Sequence, residues 1–298
     1  MERLPIERPG RGRAAKPGEK MGVSDMESEH KNEPIHEQLL SDAAAQLRMA
    51  LGSMSSVLSR IVPPEARDAD PRLDSHAALL YQSYYKMLRI VNNMTAAAEL
   101  TGERPLPLRN DDMVSLCRAV CQCTEGLAQM QGITLRFESD EPEHIIALHA
   151  EGVERLLLNL LSNAMKFTPK GGAIVVRLRG VEEWIELTVA DNGCGISEEL
   201  LPTLFDRYRH TGRMDPPVHG LGLGLPICHR IMAGHEGEIF AASTVGQGTA
   251  VTARFPNRRS VIARLSDIRL QYNGGLNPTL LELCDAVPYE AFCVKYMD

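Results

Sequence analysis

Long uninterrupted hydrophobic runs are absent from this sequence. Hydrophobic residues make up 44% of its 298 residues, yet no apolar stretch approaches the roughly 18 residues that cross a bilayer. The N-terminus also lacks the apolar centre of a signal peptide. These absences exclude a membrane span as an interpretation and predict a cytoplasmic protein, whereas the hydrophobic content is sufficient for a sizeable core.

The cysteines lack the spacing of a metal site or of a disulfide framework. There are seven of them, an odd number, scattered along the chain. Cys117, Cys121 and Cys123 come closest to a ligand cluster, but no second pair matches them and they fall in a helical pattern. We interpret them as buried free thiols.

An excess of positive charge is also lacking. The formal net charge of -7 argues against nucleic acid as the main partner. Residues 1–33 are rich in Pro, Gly and charge, and they contain almost no large apolar side chains. We predict a disordered N-terminal tail there. Its early basic cluster is diluted by acidic residues, which favours a solvated tail over contact with an anionic surface.

Two long helical patterns follow the tail. The first covers residues 34–62 and ends at Pro63 and Pro64, and the second runs from Leu73 to about Leu100 after a polar turn. Together they predict an antiparallel hairpin over residues 34–101 and, because a lone hairpin exposes its apolar stripes, a homodimer that forms a four-helix bundle. The stripes consist of Leu40, Ala44, Leu47, Leu51, Met54, Leu58 and Ile61 on the first helix and Ala77, Leu80, Tyr84, Met87, Val91, Met94 and Ala98 on the second.

The second half of the chain alternates between helical and strand patterns. A linker containing Gly and two Pro covers residues 101–109. The patterns then predict a helix at 113–130 and strands at 134–138, 144–148, 173–179, 185–190 and 248–255. The predicted fold class is α+β: a helical hairpin followed, over residues 105–257, by a two-layer α/β sandwich with a mixed sheet.

One predicted helix carries polar side chains along one edge. Asn159, Asn163 and Lys166 recur at i, i+4 and i+7, next to a buried face. An amide oxygen is a suitable ligand for magnesium, and a lysine one turn further on can contact phosphates that the cation bridges. A solvated polar face is the alternative. The buried face consists of Leu156, Leu157, Leu160, Leu161 and Ala164.

Four further boxes follow this helix in a fixed order. They are Asp191-Asn-Gly193-Cys-Gly195-Ile196, Leu204-Phe205-Asp206-Arg-Tyr208, Gly220-Leu-Gly222-Leu-Gly224-Leu225 and Gly246-Gln-Gly248-Thr249. With the polar-edged helix, this order resembles the ATP-binding domain of sensor histidine kinases, a fold shared with gyrase and MutL-type ATPases. The resemblance covers about residues 34–256 and is strongest in the ATP-binding half.

The resemblance implies ATP and magnesium as ligands. Asp191 would accept a hydrogen bond from the adenine amine, with a structural strand-end Asp as the alternative. Asn163 would ligate magnesium, Lys166 would contact phosphates, and residues 204–219 would form a lid that orders on nucleotide binding. The other implied ATP-binding residues are Asn159, Gly193, Gly195, Ile196, Phe205, Gly220, Gly222, Leu223, Gly224, Leu225 and Thr249.

The hairpin resembles the dimerisation and phosphoacceptor domain of the same family but departs from its acceptor box. Ala45 stands at the position of the acceptor histidine, Gln46 replaces the acid that follows it, and Met49 replaces a threonine. Alanine has no nucleophile, so ordinary autophosphorylation is in doubt. The nearest other candidate is His36, which precedes Glu37; a surface or capping histidine is the alternative.

Three functions therefore stay open. The chain is an active kinase with a non-standard acceptor, a phosphate-inert binding module gated by nucleotide, or an anti-sigma-type kinase that phosphorylates Ser or Thr on a partner. The predicted partner is a response-regulator-like or other signalling protein. Hydrolytic relatives carry a glutamate where this chain has Asn159, so direct ATP hydrolysis should be slow. Residues 258–298 exceed the ATP-binding domain, and we predict a docking or partner-binding extension there. Its pattern indicates a strand within residues 261–271 and, from Asn277-Pro278, an apolar helix through Leu280, Leu281, Leu283 and Val287.

Overall fold

The computed structural model describes residues 23–99, 106–205, 222–260 and 276–296. The chain divides into two units, residues 1–39 and residues 40–298. Within the first unit, residues 23–39 are helical. Within the described ranges, no helix combines the length and the apolar character needed to cross a membrane.

Three helices form the N-terminal part of the described structure: α1 (Val23–Ile61), α2 (Pro64–Ala69) and α3 (Pro71–Glu99). The predicted helix start at residue 34 is wrong, because α1 begins at Val23; Met, Glu and Lys in that stretch favour helix even where apolar residues are few. The predicted polar turn is the short helix α2. Arg48 of α1 donates a 2.7 Å hydrogen bond to Thr95 of α3, which joins the two long helices.

The apolar stripes of α1 and α3 are divided between buried and exposed residues. Ala44 and Leu51 on α1 are buried, as are Tyr84 and Val91 on α3. Five other members of the stripes remain exposed: Leu47, Met54 and Ile61 on α1 and Leu80 and Met87 on α3. About half of the predicted stripe is therefore covered by the chain itself.

The main sheet has five strands in the order β2-β4-β5-β7-β6. Its strands are β2 (Thr134–Ser139), β4 (Ala173–Val181), β5 (Trp184–Asp191), β6 (Glu238–Thr244) and β7 (Gly248–Pro256). β2 pairs with β4 in parallel, and the other neighbours are antiparallel. The predicted mixed sheet is confirmed.

A second, two-stranded antiparallel sheet joins β1 (Arg109–Asp112) to β3 (Ile145–Leu148). Neither β1 nor β6 was among the predicted strands. β1 follows directly on the expected linker, and its polar sequence has no apolar alternation. Every second residue of β6 is exposed and the rest are only half-buried, so its pattern is weak as well.

Three helices cover one face of the main sheet: α4 (Met113–Met130), α5 (Ala150–Phe167) and α6 (Gly224–Gly234). Asp112 caps α4 by accepting bonds from the backbone N–H groups of Val114 and Ser115. The core between the layers contains the predicted apolar face of α5 and alternate residues of β4. Its fully buried members include Leu156, Leu157, Leu161, Ile174, Val176 and Leu178.

The last described part is residues 276–296, which we call the C-terminal segment. It contains α7 (Pro278–Leu283) and two short 3-10 turns. Asn277 caps α7 through a 3.1 Å bond from the backbone N–H of Leu280, as predicted, but α7 ends at Leu283 rather than continuing to Val287. The segment packs against both α3 and α5. The strand expected within residues 261–271 lies outside the described residues.

Candidate functional site

The turn after β5 is built around the carboxylate of Asp191. We call Asp191 to Gly195 together with Thr249 the Asp191 turn. One carboxylate oxygen, Oδ1, accepts bonds from the backbone N–H groups of Gly193 (2.9 Å) and Thr249 (3.3 Å). Within the described part of the chain, no residue donates to the second oxygen, Oδ2. Burial raises the pKa of Asp191, and the two backbone bonds oppose that shift. The half-buried Asp191 therefore retains one oxygen that can accept a ligand's hydrogen bond.

Two glycines make this turn possible. Gly195 has φ +71°, and a Cβ atom there would lie 2.1 Å from the backbone oxygen of Thr244. Gly248 has φ +106°, and its Cβ would lie 2.0 Å from the backbone oxygen of Asp191. Only glycine combines this backbone conformation with such close approach. The two glycine boxes therefore bring the end of β5 against the loop between β6 and β7.

Side-chain hydroxyls connect the same elements. Ser243 accepts a 2.8 Å bond from the backbone N–H of Ile196, and its hydroxyl lies 2.9 Å from that of Thr249. The structure therefore brings four predicted site residues together at one end of the sheet: Asp191, Gly193, Ile196 and Thr249. Ser243, which has no motif of its own, was not predicted.

The polar edge of α5 faces a different environment. Asn163 is half-buried, and its side-chain amide has no hydrogen-bond partner among the described residues. Asn159 is buried, and its Nδ2 donates a 2.9 Å bond to the backbone oxygen of Arg155 one turn earlier. The predicted alternative of a solvated face does not describe Asn159, which lies inside the protein.

The start of α6 lies beside Asn159. A Cβ atom on Gly224 would be 2.8 Å from Oδ1 of Asn159, so glycine permits a close approach of the two helices. No side chain caps the first turn of α6, and the unpaired N–H groups at a helix start favour an anion. Of the predicted third box, Gly222, Leu223, Gly224 and Leu225 lie in the described part, whereas Gly220 lies outside it.

Charged groups from three parts of the chain meet at α5. Arg89 of α3 donates a 3.1 Å bond to Oδ1 of Asn159 and pairs with Glu282 (3.2 Å) and Asp285 (2.9 Å). Lys166 lies 4.0 Å from Asp285, and only 6% of its side chain is exposed. We call Arg89, Asn159, Lys166, Glu282 and Asp285 the Lys166 cluster.

The Lys166 cluster alters the pKa of its lysine. Burial and, to a lesser extent, the positive charge of Arg89 lower the pKa of Lys166 to about 8, whereas Asp285 opposes the shift. At neutral pH the ammonium group is still largely protonated. Arg89, Glu282 and Asp285 were missed by the sequence analysis, because no motif marks them and their contacts join residues about 200 positions apart.

The remaining predicted residues fall into three groups. The ring of Phe205 lies 6.4 Å from that of His229 on α6, which puts the start of the predicted lid near that helix. Residues 206–219, the rest of the lid, lie outside the described part, as does the side chain of His36. Ala45 is described, and its methyl group is exposed on α1.

The sequence of residues 149–259 matches a family described as histidine kinase-, DNA gyrase B-, and HSP90-like ATPase. Residues 149–259 belong to this family. This histidine kinase-like ATPase domain begins at His149, the residue that caps α5, and contains the Asp191 turn and the polar edge of α5. The resemblance predicted from the ordered boxes is confirmed.

Relatives of the ATPase domain are sensor kinases. The chain is 31% identical over 186 residues to histidine protein kinase DivJ of Caulobacter vibrioides, a match that covers 62% of this chain and 31% of DivJ. It is 28% identical over 228 residues to the adaptive-response sensory kinase SasA of Gloeothece citriformis, covering 74% of this chain and 57% of SasA. The chain thus spans between about a third and somewhat over half of these relatives.

Solved structures share the fold beyond the ATPase domain. Full-length ShkA in complex with AMPPNP superposes with a TM-score of 0.56 at 25% identity, covering 71% of this chain and 45% of that one. Histidine kinase ThkA in complex with the response regulator protein TrrA has a TM-score of 0.51 at 20% identity, covering 79% and 66%. A helical region followed by an ATPase domain with a mixed sheet is therefore the architecture of this chain as well.

Proposed function

We propose that this chain binds Mg-ATP in its ATPase domain and uses nucleotide binding as a signal. The observation that carries the proposal is the uncommitted Oδ2 of Asp191, held in a glycine-bounded turn by two backbone N–H bonds. A carboxylate accepts from the exocyclic amine of adenine, whereas guanine presents a carbonyl that the carboxylate would repel. Adenine is thus the preferred base.

The donor set of α5 and α6 fits a magnesium-bound triphosphate. The unpaired amide of Asn163 offers one oxygen, and magnesium usually takes few protein ligands and keeps several waters. The uncapped start of α6, with Gly222 and Gly224, offers backbone N–H groups to phosphate oxygens. Bound magnesium would neutralise part of the phosphate charge. Ile196 would supply an apolar wall and Thr249 a hydroxyl near the base.

The hairpin helices would serve as the output of nucleotide binding. The exposed methyl of Ala45 offers no nucleophile at the family's acceptor position. We therefore favour a histidine-kinase-like binding module over a self-phosphorylating kinase. Its partner would be a response-regulator-like signalling protein, the class of partner named in the ThkA complex. A relocated acceptor at His36 and Ser/Thr phosphorylation of a partner are the competing functions.

Incubation with labelled ATP separates these functions. We expect the wild-type chain to bind Mg-ATP but to stay unlabelled, and the Ala45→His, Gln46→Glu variant to gain an acid-labile label if only the acceptor was lost. Acid-labile label on the wild type that His36→Ala abolishes would establish a relocated acceptor instead. Acid-stable label on a partner protein would favour the Ser/Thr kinase.

We also propose that the chain is a homodimer through α1 and α3. The exposed side chains of Leu47, Met54, Ile61 and Leu80 would be covered by the same residues of a second copy. Sedimentation should give a dimer for the full chain and a monomer for the Met54→Glu, Leu80→Glu variant. The matched variant Val245→Glu, at an exposed apolar residue of the ATPase domain, should remain dimeric. A monomeric wild type at micromolar concentration would contradict this arrangement.

A further inference from the structure

The C-terminal segment is anchored to the hairpin by contacts that do not involve the proposed ATP site. The ring of Phe292 packs edge-on against Tyr85, with 5.2 Å between centroids. The guanidinium of Arg67 donates a 2.7 Å bond to the backbone oxygen of Phe292, and Gln82 donates a 2.9 Å bond to that of Val287. These buried contacts fix the segment at the hairpin side independently of the charged groups near α5.

A second set of contacts reaches the proposed ATP site itself. Asp285 lies in the turn that follows α7, 2.9 Å from Arg89 and 4.0 Å from Lys166. Glu282 pairs with Arg89 at 3.2 Å. Both cations are almost fully buried, so the acidic residues of the segment, rather than water, occupy their surroundings.

The burial of Lys166 sets a condition on nucleotide binding. Only 6% of its side chain is exposed, and its ammonium faces Asp285. A phosphate oxygen can contact that ammonium only if the carboxylate of Asp285 moves away. Arg89 is constrained in the same way, because Glu282 and Asp285 take up its donors. In this arrangement the carboxylates of Glu282 and Asp285 occupy the positions next to Lys166 and Arg89 that the phosphates of a nucleotide would take.

We propose that the C-terminal segment regulates the ATP site by competition, with Asp285 and Glu282 holding Lys166 and Arg89 until nucleotide phosphates displace them. This inference rests on the proposed binding of ATP. Displacement would leave Lys166 and Arg89 on the phosphates and would release the turn containing Asp285 from α5. Because Arg89 belongs to α3, the exchange transmits phosphate binding directly to the hairpin.

The geometry favours movement of the turn over unfolding of the segment. Asp285 is 20% exposed, and its 4.0 Å separation from Lys166 is longer than a hydrogen bond. Asp285 also follows the end of α7, so its displacement breaks no bond within that helix. The anchors at Tyr85 and Arg67 can persist while the turn moves, whereas the bonds that Gln82 donates to Cys284 and Val287 and that Gln131 donates to Ala286 would have to break. Triphosphate carries more charge than monophosphate, so competition should strengthen from AMP to ATP.

Calorimetry of the full chain with Mg-ATP, Mg-ADP and AMP tests the competition. Asp285→Asn removes the charge that faces Lys166 and should tighten ATP binding by about fivefold, with a smaller effect on AMP. Glu290→Gln removes a charge from an exposed residue of the same segment and should leave all three affinities unchanged. A second measurement needs no variant: amides of residues 284–287 in the wild type should exchange faster with ATP bound than with AMP bound.

Each outcome decides between the two proposals. ATP affinities that are equal in the wild type, Asp285→Asn and Glu290→Gln, with unchanged exchange at residues 284–287, would overturn the competition and leave ATP binding intact. Weaker ATP binding in Asp285→Asn than in Glu290→Gln would overturn it as well. If no protein in the series binds ATP, the proposed function and the competition both fail. ATP binding that appears only in Asp285→Asn would support the competition strongly.

Discussion

The Asp191 turn lies within the ATPase domain, whereas the Lys166 cluster joins that domain to α3 and to the C-terminal segment. The Asp191 turn is assembled from residues 191–195 and Thr249, and the positive φ of Gly195 together with its close approach to Thr244 admits no other residue type there. One carboxylate oxygen is left for a ligand. In the Lys166 cluster, every charged group already has an oppositely charged neighbour, supplied by α3 or by the C-terminal segment.

The difference in construction favours recognition of the base by the Asp191 turn and regulation of phosphate binding by the Lys166 cluster. A turn fixed by its own backbone can select a base without reference to the rest of the chain. The Lys166 cluster contains residues of the hairpin and of the C-terminal segment, so a conformational change in either of them alters the cluster. Alteration of the Lys166 cluster should therefore change mainly the stability of the protein, and alteration of the Asp191 turn mainly its affinity for ATP. Two measurements test this difference, and two more concern residues outside both regions.

The largest effect is expected at the Lys166 cluster. Arg89→Met should lower the free energy of unfolding by about 3 kcal/mol, because Glu282 and Asp285 lose their main cation in a buried setting. Arg177→Met breaks the ion pair with Glu138, in which both side chains are well exposed, and should cost less than about 1 kcal/mol. Urea denaturation measures both. Equal losses would mean that the cluster is no more than a surface network.

The second effect is expected at the Asp191 turn. Asp191→Asn should weaken ATP binding at least tenfold, about 1.4 kcal/mol. The amide would place an N–H donor opposite the adenine amine, which is itself a donor, so that the hydrogen bond would be lost. Asp140→Asn is the matched control, because Asp140 also accepts a backbone N–H bond, from Gly180, but lies in another part of the domain. Calorimetry should show wild-type affinity in the control. Wild-type affinity in Asp191→Asn would reject the assignment of adenine to this turn.

A third measurement concerns Asn163 on the polar edge of α5. Asn163→Ala should weaken binding of ATP by about tenfold in the presence of magnesium and have little effect in its absence, because only the metal-linked contact is removed. The exposed amide of Gln129 on α4 provides the control, Gln129→Ala. Titrations with and without magnesium compare the two variants. An Asn163→Ala protein that keeps its magnesium dependence would exclude Asn163 as the metal ligand.

The smallest effect is a pH dependence away from both regions. His235 is buried, and its Nε2 accepts a 3.0 Å bond from the backbone N–H of His149, where α5 begins. Burial lowers the pKa of His235 below its ordinary value. The associated stability is present above the unfolded pKa of about 6.5 and is lost as pH falls through the folded value.

Unfolding free energies at pH 7.5 and 5.5 provide the check. The wild type should lose more stability over this interval than His235→Gln, because glutamine takes up no proton. Identical losses in the two proteins would assign the pH dependence to other groups.

The ATPase domain was largely predictable because its helices, strands and turns are determined by patterns within short stretches of sequence. The apolar spacing of Leu156, Leu157 and Leu161 gave the helix, and Gly195 and Gly248 take backbone conformations that glycine favours. The ordered boxes therefore predicted both the sheet and the residues that meet at the Asp191 turn. β6 was missed because an edge strand with half-buried residues has little apolar alternation to detect.

The Lys166 cluster was not predictable on the same grounds. Arg89 sits in an ordinary helical pattern, and Asp285 follows a helix that no motif accompanies. Their contact joins positions 196 residues apart, so only the tertiary fold brings them together. The sequence analysis foresaw a docking extension after residue 257. It did not foresee that the extension docks on α3 and α5 of its own chain.

The packing of the C-terminal segment also fixes an order of events during synthesis. Asn277 bonds to Tyr85 across 192 residues, so α3 leaves the ribosome long before its cover is made. At about 5–20 residues per second, the delay is roughly 10–40 s. During this interval, Tyr85 on nascent α3 lacks Phe292, the ring that packs against it in the finished protein. A chaperone or a neighbouring nascent chain can bind that surface during the delay, until residues 276–296 emerge and cover it.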